Sequence, residues 1–347
     1  MKGKMKAVVK TSQAPGVELK NVDIPTIGPK DVLIKVKAAA ICGSDIHIYH
    51  SAPGIMRMVN PPFTLGHEMS GDVVETGDMV TDIKKGDKVA VETHLPCGHC
   101  YCCQTGAPHN CLNLVIFGVE TDGAFAEYAR VPEVVCWKLP ENYSYDLGAI
   151  LEPLGVAMHG TMVEDVNGKS VAVFGCGPIG LFAIGTVTAF GATKVFALEV
   201  APKRLAMARQ LFPNAILINP KEQDPTENIM KATDGLGVDV AIELSGSPEA
   251  TKQAFKALKR EGRVSIIGAT TAPVELDIHK DITRKEARIY GSFGRLIWQT
   301  WWQVRNLLNT GKFDPLPIIT HRFPLADCAK AIELAAKGEA GKVLLYP

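Results

Sequence analysis

The chain has 347 residues, 46% of them hydrophobic and 21% charged, and its formal net charge is +0 at pH 7. That length favours two domains over one, and the composition is not that of a disordered chain. The balanced charge gives no electrostatic support for binding nucleic acid. No apolar run is long enough to span a membrane, and the first residues lack the apolar core of a signal peptide. We therefore expect a cytoplasmic protein.

The N-terminal part of the chain is predicted to be mostly β. Residues 32–38 follow the period-two alternation of a half-buried strand. The short apolar runs at 71–75 and 87–92 are bounded by Gly or Asp, as strands between turns are. Since Pro and Gly are also frequent here, we predict a β domain over residues 1–155.

Three segments of this domain carry residues suited to metal chemistry. They are Cys42-Gly-Ser44-Asp-Ile-His47, Gly66-His67-Glu68 and Glu152-Pro-Leu-Gly-Val-Ala-Met-His159. Thiolate, imidazole and carboxylate groups can together bind a catalytic zinc and leave one position open for water or substrate. Taken singly, each residue has a plain structural interpretation, such as a buried small hydrophobe for Cys42 or a core histidine for His67 and His159. The metal interpretation depends on their joint occurrence.

A cluster of cysteines at 97–111 has the spacing C-x2-C-x2-C-x7-C. The chain has nine cysteines and no export signal, so a metal site is favoured over a disulfide framework. Four thiolates on so short a loop can bind one tetrahedral zinc and leave no position for a substrate, which predicts a structural site. The predicted ligands are Cys97, Cys100, Cys103 and Cys111, and Cys102 is an extra thiol beside them.

Strands and helices alternate from about residue 167, which predicts βαβ units and a parallel sheet. Predicted strands cover 170–174, 194–199, 215–218, 238–244, 263–267 and 287–292. Predicted helices cover 178–190, 202–211, 225–233 and 248–259. We therefore predict an α/β, doubly wound Rossmann domain over residues 156–293, with residues 294–347 returning to the first domain.

The motif Gly175-Cys-Gly177-Pro-Ile-Gly180 lies between an apolar strand and a helix, where glycines let the backbone approach a pyrophosphate. Glu199 ends the next predicted strand, where a carboxylate binds the ribose hydroxyls of NAD and repels the 2′-phosphate of NADP. Arg204 lies nearby and could weaken that preference. The predicted cofactor-binding residues are Gly175, Gly177, Pro178, Ile179, Gly180, Glu199, Arg204, Ile267, Gly268, Ala269, Ser292 and Phe293.

With these motifs the chain resembles, over essentially its whole length, the zinc-dependent medium-chain dehydrogenases, which include alcohol, sorbitol and threonine dehydrogenases. The resemblance rests on the Cys42-x-Ser44-x-x-His47 pattern, on Gly66-His67-Glu68 and on the four-cysteine cluster, whose family spacing favours Cys103 over Cys102. It implies a GroES-like catalytic domain, a Rossmann NAD-binding domain, two zinc ions per chain and a homotetramer.

The resemblance also implies a mechanism that oxidises a secondary alcohol to a ketone. Zinc bound by Cys42, His67 and Glu68 holds the substrate hydroxyl, and Glu152 approaches the metal or its water. Ser44 takes the hydroxyl proton and passes it, through the nicotinamide ribose, to His47, while hydride moves to NAD. A non-catalytic binding or structural member would lack one of these residues, and all are present. We therefore expect an enzyme whose partner is a small-molecule alcohol.

Two branches of the family fit the sequence. Residues 41–49, 294–301 and 317–321 resemble threonine 3-dehydrogenases, and so does Val91-Glu-Thr-His94, whose histidine in that branch lies near the active site and tunes turnover. Polyol dehydrogenases are the alternative, of sorbitol, inositol or galactitol-phosphate type. They are favoured by Ser44, by Val156, and by Arg57 in the 50–62 loop, where the acidic residues of threonine enzymes are missing.

Overall fold

The computed structural model describes residues 2–270 and 272–347. The chain forms two compact units, the first comprising Met1–Pro153 and Ile319–Pro347, and the second Leu154–Ile318. The predicted return to the first domain began at residue 294, whereas the structure places it at Ile319. Residues 294–318 stay with the second unit because they pack there, with the ring of Phe313 lying where a side chain on Gly185 would be.

The strands and helices of the described residues are as follows. The strands are β1 (Lys4–Lys10), β2 (Glu18–Asp23), β3 (Asp31–Ala40), β4 (Phe63–Thr64), β5 (Glu68–Thr76), β6 (Lys88–Val91), β7 (His94–Leu95), β8 (Val115–Ile116), β9 (Tyr128–Pro132), β10 (Cys136–Lys138), β11 (Ser170–Phe174), β12 (Lys194–Leu198), β13 (Ile216–Ile218), β14 (Val238–Glu243), β15 (Leu258–Ile266), β16 (Arg288–Gly291), β17 (Ile319–Pro324) and β18 (Lys342–Tyr346). The helices are α1 (Gly43–Tyr49), α2 (Pro53–Met56), α3 (Tyr101–Gln104), α4 (Tyr145–Ala149), α5 (Leu151–Thr161), α6 (Pro178–Ala189), α7 (Pro202–Leu211), α8 (Pro225–Ala232), α9 (Pro248–Ala257), α10 (Gln299–Asn309) and α11 (Cys328–Ala336). Within the described ranges, none of these helices is long and apolar enough to cross a bilayer.

The first unit is built on a seven-stranded sheet of order β10-β6-β5-β3-β18-β17, in which β9 also pairs with β3. Strand β3 is buried along most of its length because it lies in the middle of this sheet. A smaller sheet of order β2-β1-β4 pairs the start of the chain with residues 63–64. The hydrophobic core of this unit combines aliphatic and aromatic side chains and includes Ile34, Met69 and Phe125.

The second unit is a parallel six-stranded sheet of order β13-β12-β11-β14-β15-β16. Strand order reverses between β11 and β14, and ligands of such sheets bind outside the carboxyl ends of the strands at that switch point. The central strands are apolar on both faces, as β11 is from Val171 to Phe174, because helices cover the sheet. This is the doubly wound arrangement that the sequence predicted.

Candidate functional site

A cysteine, a histidine and a glutamate meet at one end of the first unit's main sheet. Ala40, at the end of β3, pairs with Glu68, at the start of β5. Cys42 lies two residues beyond Ala40, and His67 precedes Glu68, so the pairing of these strands brings the three residues together. The thiolate, imidazole and carboxylate ligand atoms of Cys42, His67 and Glu68 all lie within 4.8 Å of one another.

Charged groups surround this trio and shift the pKa values of its members. Burial alone would lower the pKa of His67, but the carboxylate of Asp45 and the thiol of Cys42 raise it to about 10. Burial would likewise raise the pKa of Cys42, but His67 lowers it to about 7. Asp45 contacts both partners, because it accepts the Cys42 N–H at 2.8 Å and lies 3.7 Å from Nδ1 of His67. A thiol that ionises readily, beside an imidazole and a carboxylate, suits a divalent cation such as zinc, which would displace the imidazole proton on binding.

Glu68 has a partner that the sequence did not indicate. Its side chain is fully buried, and burial raises its pKa well above the ordinary value. The Nζ atom of Lys342, on β18, donates to both carboxylate oxygens and to the carbonyl oxygen of Ile41 at 2.9 Å. Nothing in the sequence pattern linked Lys342 to residues so distant in the chain, because only the sheet order makes β18 a neighbour of β3.

Glu152 lies on α5, a helix inside the stretch that the sequence predicted to be mostly β. Its Oε1 atom accepts a hydrogen bond of 2.9 Å from Thr93 Oγ1, which also donates to the carbonyl oxygen of His67 at 3.2 Å. Glu152 is buried and raises the pKa of Glu68, so its charge acts on the trio. Its oxygens are not part of the group whose ligand atoms lie within 4.8 Å of one another.

The three other predicted catalytic residues lie at different distances from the trio. Ser44, in the first turn of α1, has its Oγ 3.4 Å from Nε2 of His67. His47, in the last turn of that helix, is exposed. His94 is buried and directly follows Thr93, and its backbone N–H donates to Glu92 at 2.9 Å.

The four cysteines of the 97–111 loop converge on one point. The sulfur atoms of Cys97, Cys100, Cys103 and Cys111 lie within 4.8 Å of one another, and Cys102 is not part of this group. Backbone N–H groups surround the sulfurs, such as that of Leu112 at 3.4 Å from Cys100. A backbone hydrogen bond near His99 lowers the pKa of Cys97 to about 5. Burial and the neighbouring thiols raise the pKa of Cys103 to about 12, so a bound cation would be needed to hold all four sulfurs as thiolates. Four sulfur ligands on one loop suit a closed zinc site.

The predicted cofactor residues gather at the carboxyl ends of the second unit's strands. The glycine motif follows β11, Glu199 follows β12, and residues 267–269 and 292–293 follow β15 and β16. Gly175 has a φ of 99°, and a Cβ on Gly180 would lie 1.9 Å from the carbonyl oxygen of Gly175. Both glycines are therefore required by the turn that opens α6 at Pro178 and Ile179.

Glu199 fixes the loop after β12 through two backbone donors. Its Oε2 atom accepts the Cys176 N–H and its Oε1 atom accepts the Ala201 N–H, both at 2.9 Å. The guanidinium of Arg204 lies beside Gly177, 3.9 Å from where a Cβ would be. This carboxylate is therefore held at the glycine motif, where the ribose of a dinucleotide lies in this fold.

Two buried polar atoms near the carboxyl ends of the second unit's strands have no hydrogen-bond partner among the described residues. They are Nε of Arg204 and Oγ of Ser292. Buried polar groups are normally satisfied, so each of these atoms fits a site that a polar ligand completes. Together with the open backbone at Gly177, they fit a nicotinamide dinucleotide.

Known proteins resemble this chain in both its first and its second unit. Residues 28–141 match the family Alcohol dehydrogenase GroES-like domain, and residues 178–310 match the family Zinc-binding dehydrogenase. The L-threonine 3-dehydrogenase of Symbiobacterium thermophilum is 44% identical over 99% of this chain and 98% of its own. A zinc-binding dehydrogenase target from Sinorhizobium meliloti, solved bound to NADP, superposes with a TM-score of 0.90 at 34% identity, covering 99% and 100% of the two chains. Galactitol-1-phosphate dehydrogenase from Escherichia coli has a TM-score of 0.90 at 29% identity, covering 99% and 100%.

The chain belongs to the zinc-dependent medium-chain dehydrogenase family. It is a zinc- and nicotinamide-dependent alcohol dehydrogenase with a GroES-like domain and a Rossmann domain. The fold class, the family and the reaction class predicted from the sequence are thereby confirmed.

Proposed function

We propose that this chain is an L-threonine 3-dehydrogenase, which oxidises the secondary alcohol of threonine to 2-amino-3-ketobutyrate. The observation that carries the proposal is the 44% identity, over nearly the full length of both chains, with a relative of that name. The candidate site supports the reaction class, because its three ligand residues leave one coordination position for a substrate oxygen.

We assign the catalytic zinc to Cys42, His67 and Glu68. Bound there, zinc would act as a Lewis acid that makes the substrate hydroxyl easier to deprotonate. Ser44 would accept that proton, and its position 3.4 Å from the ligand His67 supports this role. Exposed His47 would exchange the proton with water. Glu152 orients water or metal through its bond to Thr93, and buried His94 adjoins that pair and tunes turnover.

We assign a second zinc to Cys97, Cys100, Cys103 and Cys111, which gives two per chain. This site leaves no position for a substrate, so its role is to hold the 97–111 loop. Elemental analysis of the purified enzyme should give two zinc atoms per chain. A value of one would contradict the assignment of one site, and zinc analysis of Cys42→Ser and Cys100→Ser would identify which.

We infer that NAD is the preferred cofactor. It would contact the glycine motif from Gly175 to Gly180, the loops at 267–269 and 292–293, and Glu199. A carboxylate at residue 199 accepts hydrogen bonds from the ribose hydroxyls of NAD and repels the 2′-phosphate of NADP. Arg204 opposes this preference, since its guanidinium lies beside Gly177 and its Nε lacks a partner.

A polyol dehydrogenase is the second candidate. Arg57 is exposed in the 50–62 loop, and a cation there suits an acidic or phosphorylated substrate better than the ammonium group of threonine. Val156 and Ser44 also fit this branch. The likeness to galactitol-1-phosphate dehydrogenase supports the same alternative.

A rate comparison separates the two candidates. The purified enzyme would be assayed with threonine, sorbitol, inositol, galactitol 1-phosphate and 2,3-butanediol, each with NAD and with NADP. We expect the highest kcat/KM with threonine and NAD. Activity on a polyol with none on threonine would overturn the first proposal and establish the second.

We further propose a homotetramer in the cytoplasm. Strand β16 ends the six-stranded sheet and leaves Ile289 exposed at its edge, which supports association between copies. All nine cysteines are free thiols, as in a reducing compartment. Light scattering after size exclusion should give four chains per particle, and a monomer would contradict the proposal.

A further inference from the structure

Lys10 is a fully buried lysine that the reaction does not use. It ends β1, and none of its side chain is exposed. Its Nζ atom donates to the carbonyl oxygen of Ala14 at 2.7 Å, to Ser51 Oγ at 2.9 Å and to the carbonyl oxygen of Gly16 at 3.3 Å. In the described part of the chain, no carboxylate forms an ion pair with it. Burying a cation against neutral oxygens is costly, so such a lysine persists only where its bonds organise the structure.

The three acceptors belong to two separate pieces of chain. Ala14 and Gly16 lie in the loop between β1 and β2, whereas Ser51 follows α1 by two residues. Ser51 has a φ of 56°, a left-handed conformation that costs free energy in a residue with a side chain. Lys10 therefore ties the β1–β2 loop to the point where the chain turns sharply after α1.

Further hydrogen bonds join the β1–β2 loop to the chain around residues 51–59, which we name the post-helix segment. The Gly16 N–H donates to the carbonyl oxygen of Tyr49 at 2.8 Å, and Gln13 Nε2 donates to that of Val59 at 3.4 Å. The β1–β2 loop thus holds the chain at Tyr49, just before the segment, and at Val59, its last residue. Between them Ile55 and Met56 pack inward against the core, while Arg57 is exposed.

The post-helix segment is coupled to the candidate catalytic residues through α1. That helix begins directly after Cys42, carries Ser44 and ends at Tyr49. The Ala52 N–H donates to the carbonyl oxygen of His47 at 2.9 Å. A shift at Ser51 would therefore move the segment, including Arg57, relative to the metal ligand.

We propose that Lys10 is a positioning residue for substrate selection, because it fixes the post-helix segment with respect to Cys42 and Ser44. This inference rests on the proposed function, because it assumes that an alcohol is bound at the trio and that the segment carrying Arg57 contacts it. Lys10 touches no reacting atom, so its loss should alter which alcohol is accepted and leave NADH binding and zinc content unchanged.

The test compares Lys10→Met with Lys6→Met, a matched change at an exposed position of the same strand. Hydrogen exchange followed by mass spectrometry should show amides of residues 51–58 exchanging about tenfold faster in Lys10→Met only, since each lost buried bond lowers the local opening energy. The KM for the preferred substrate should rise about tenfold, while kcat/KM for the smaller 2,3-butanediol stays within about twofold.

Two results would overturn the proposal. One is unchanged exchange at 51–58, and the other is an equal loss of kcat/KM for large and small alcohols, which a general structural defect would produce. The exchange measurement needs no substrate, so it stays valid if threonine is not oxidised, and the kinetic arm then uses the polyol that is. If Lys10→Met does not fold, Ser51→Ala removes one acceptor and should show the same pattern at a few-fold size.

Discussion

The two candidate zinc sites of the first unit are built in opposite ways. The four-cysteine site takes all its ligands from one loop, and its sulfurs are stabilised by backbone N–H groups of that loop. The trio of Cys42, His67 and Glu68 is held by side chains from distant parts of the chain, namely Thr93, Glu152 and Lys342. The comparison shows that a closed structural site can be specified locally, whereas an open catalytic site depends on the whole sheet.

Removing a ligand of the open site should have the largest effect on activity. In Cys42→Ser we expect kcat to fall by about 10³-fold or more, because a neutral hydroxyl is a poor zinc ligand and the Lewis acid is lost. NADH binding, measured by fluorescence titration, should stay at the wild-type value, since Cys42 lies in the other unit from the glycine motif. Full activity in this variant would disprove the metal assignment.

Removing a distant support of the open site should have an intermediate effect. Lys342→Met leaves Glu68 buried without its cation, and breaking a buried pair in this way costs about 3–5 kcal/mol of folding stability. We expect activity to fall by about 10–100-fold, the usual effect of losing a partner of a metal ligand. Urea unfolding and kcat/KM would be compared with those of Lys330→Met, whose surface ion pair with Asp327 is worth less than about 1 kcal/mol. Equal behaviour of the two variants would show that the site does not depend on Lys342.

Disrupting the closed site should have the smallest effect on chemistry. In Cys100→Ser we expect one zinc atom per chain to be lost and the Tm to fall by about 5 °C or more, because the 97–111 loop is no longer held. The kcat of the enzyme that remains folded should change by less than about threefold, since no substrate position exists at this site. Cys102→Ser is the control, and it should keep two zinc atoms and the wild-type Tm. Loss of zinc in the control would show that Cys102 and not Cys103 is a ligand.

The same contrast explains how much the sequence predicted. The four-cysteine group and the glycine motif each lie in one short segment, so their spacing alone predicted the residues that the structure brings together. Helix α5 was missed because it is buried on nearly all sides and lacks the one-sided apolar pattern of a surface helix. Lys342 was missed because its role follows from the neighbours of β18 in the sheet, which no local pattern encodes.

In the second unit, the predicted ends of helices and strands were accurate to within a few residues wherever a Gly or Pro residue lies at that end. Helix α7 covers Pro202–Leu211 as predicted, and α6 begins at Pro178 as predicted. The domain boundary was harder to predict, because nothing local in residues 294–318, including their three tryptophans, indicates which unit they pack against. Their place in the second unit depends on a tertiary contact, that of Phe313 with Gly185.

The pairing of Glu68 with Lys342 also has a consequence for biosynthesis. The two residues are separated by 274 positions, so the carboxylate is made long before its ammonium partner leaves the ribosome. Contacts of such long range form slowly, since bringing the two residues together costs the entropy of closing the long loop between them. A nascent chain that already holds zinc in the cysteine loop would therefore still have an incomplete catalytic centre, and competence for chemistry would arrive only with the insertion of β18 beside β3.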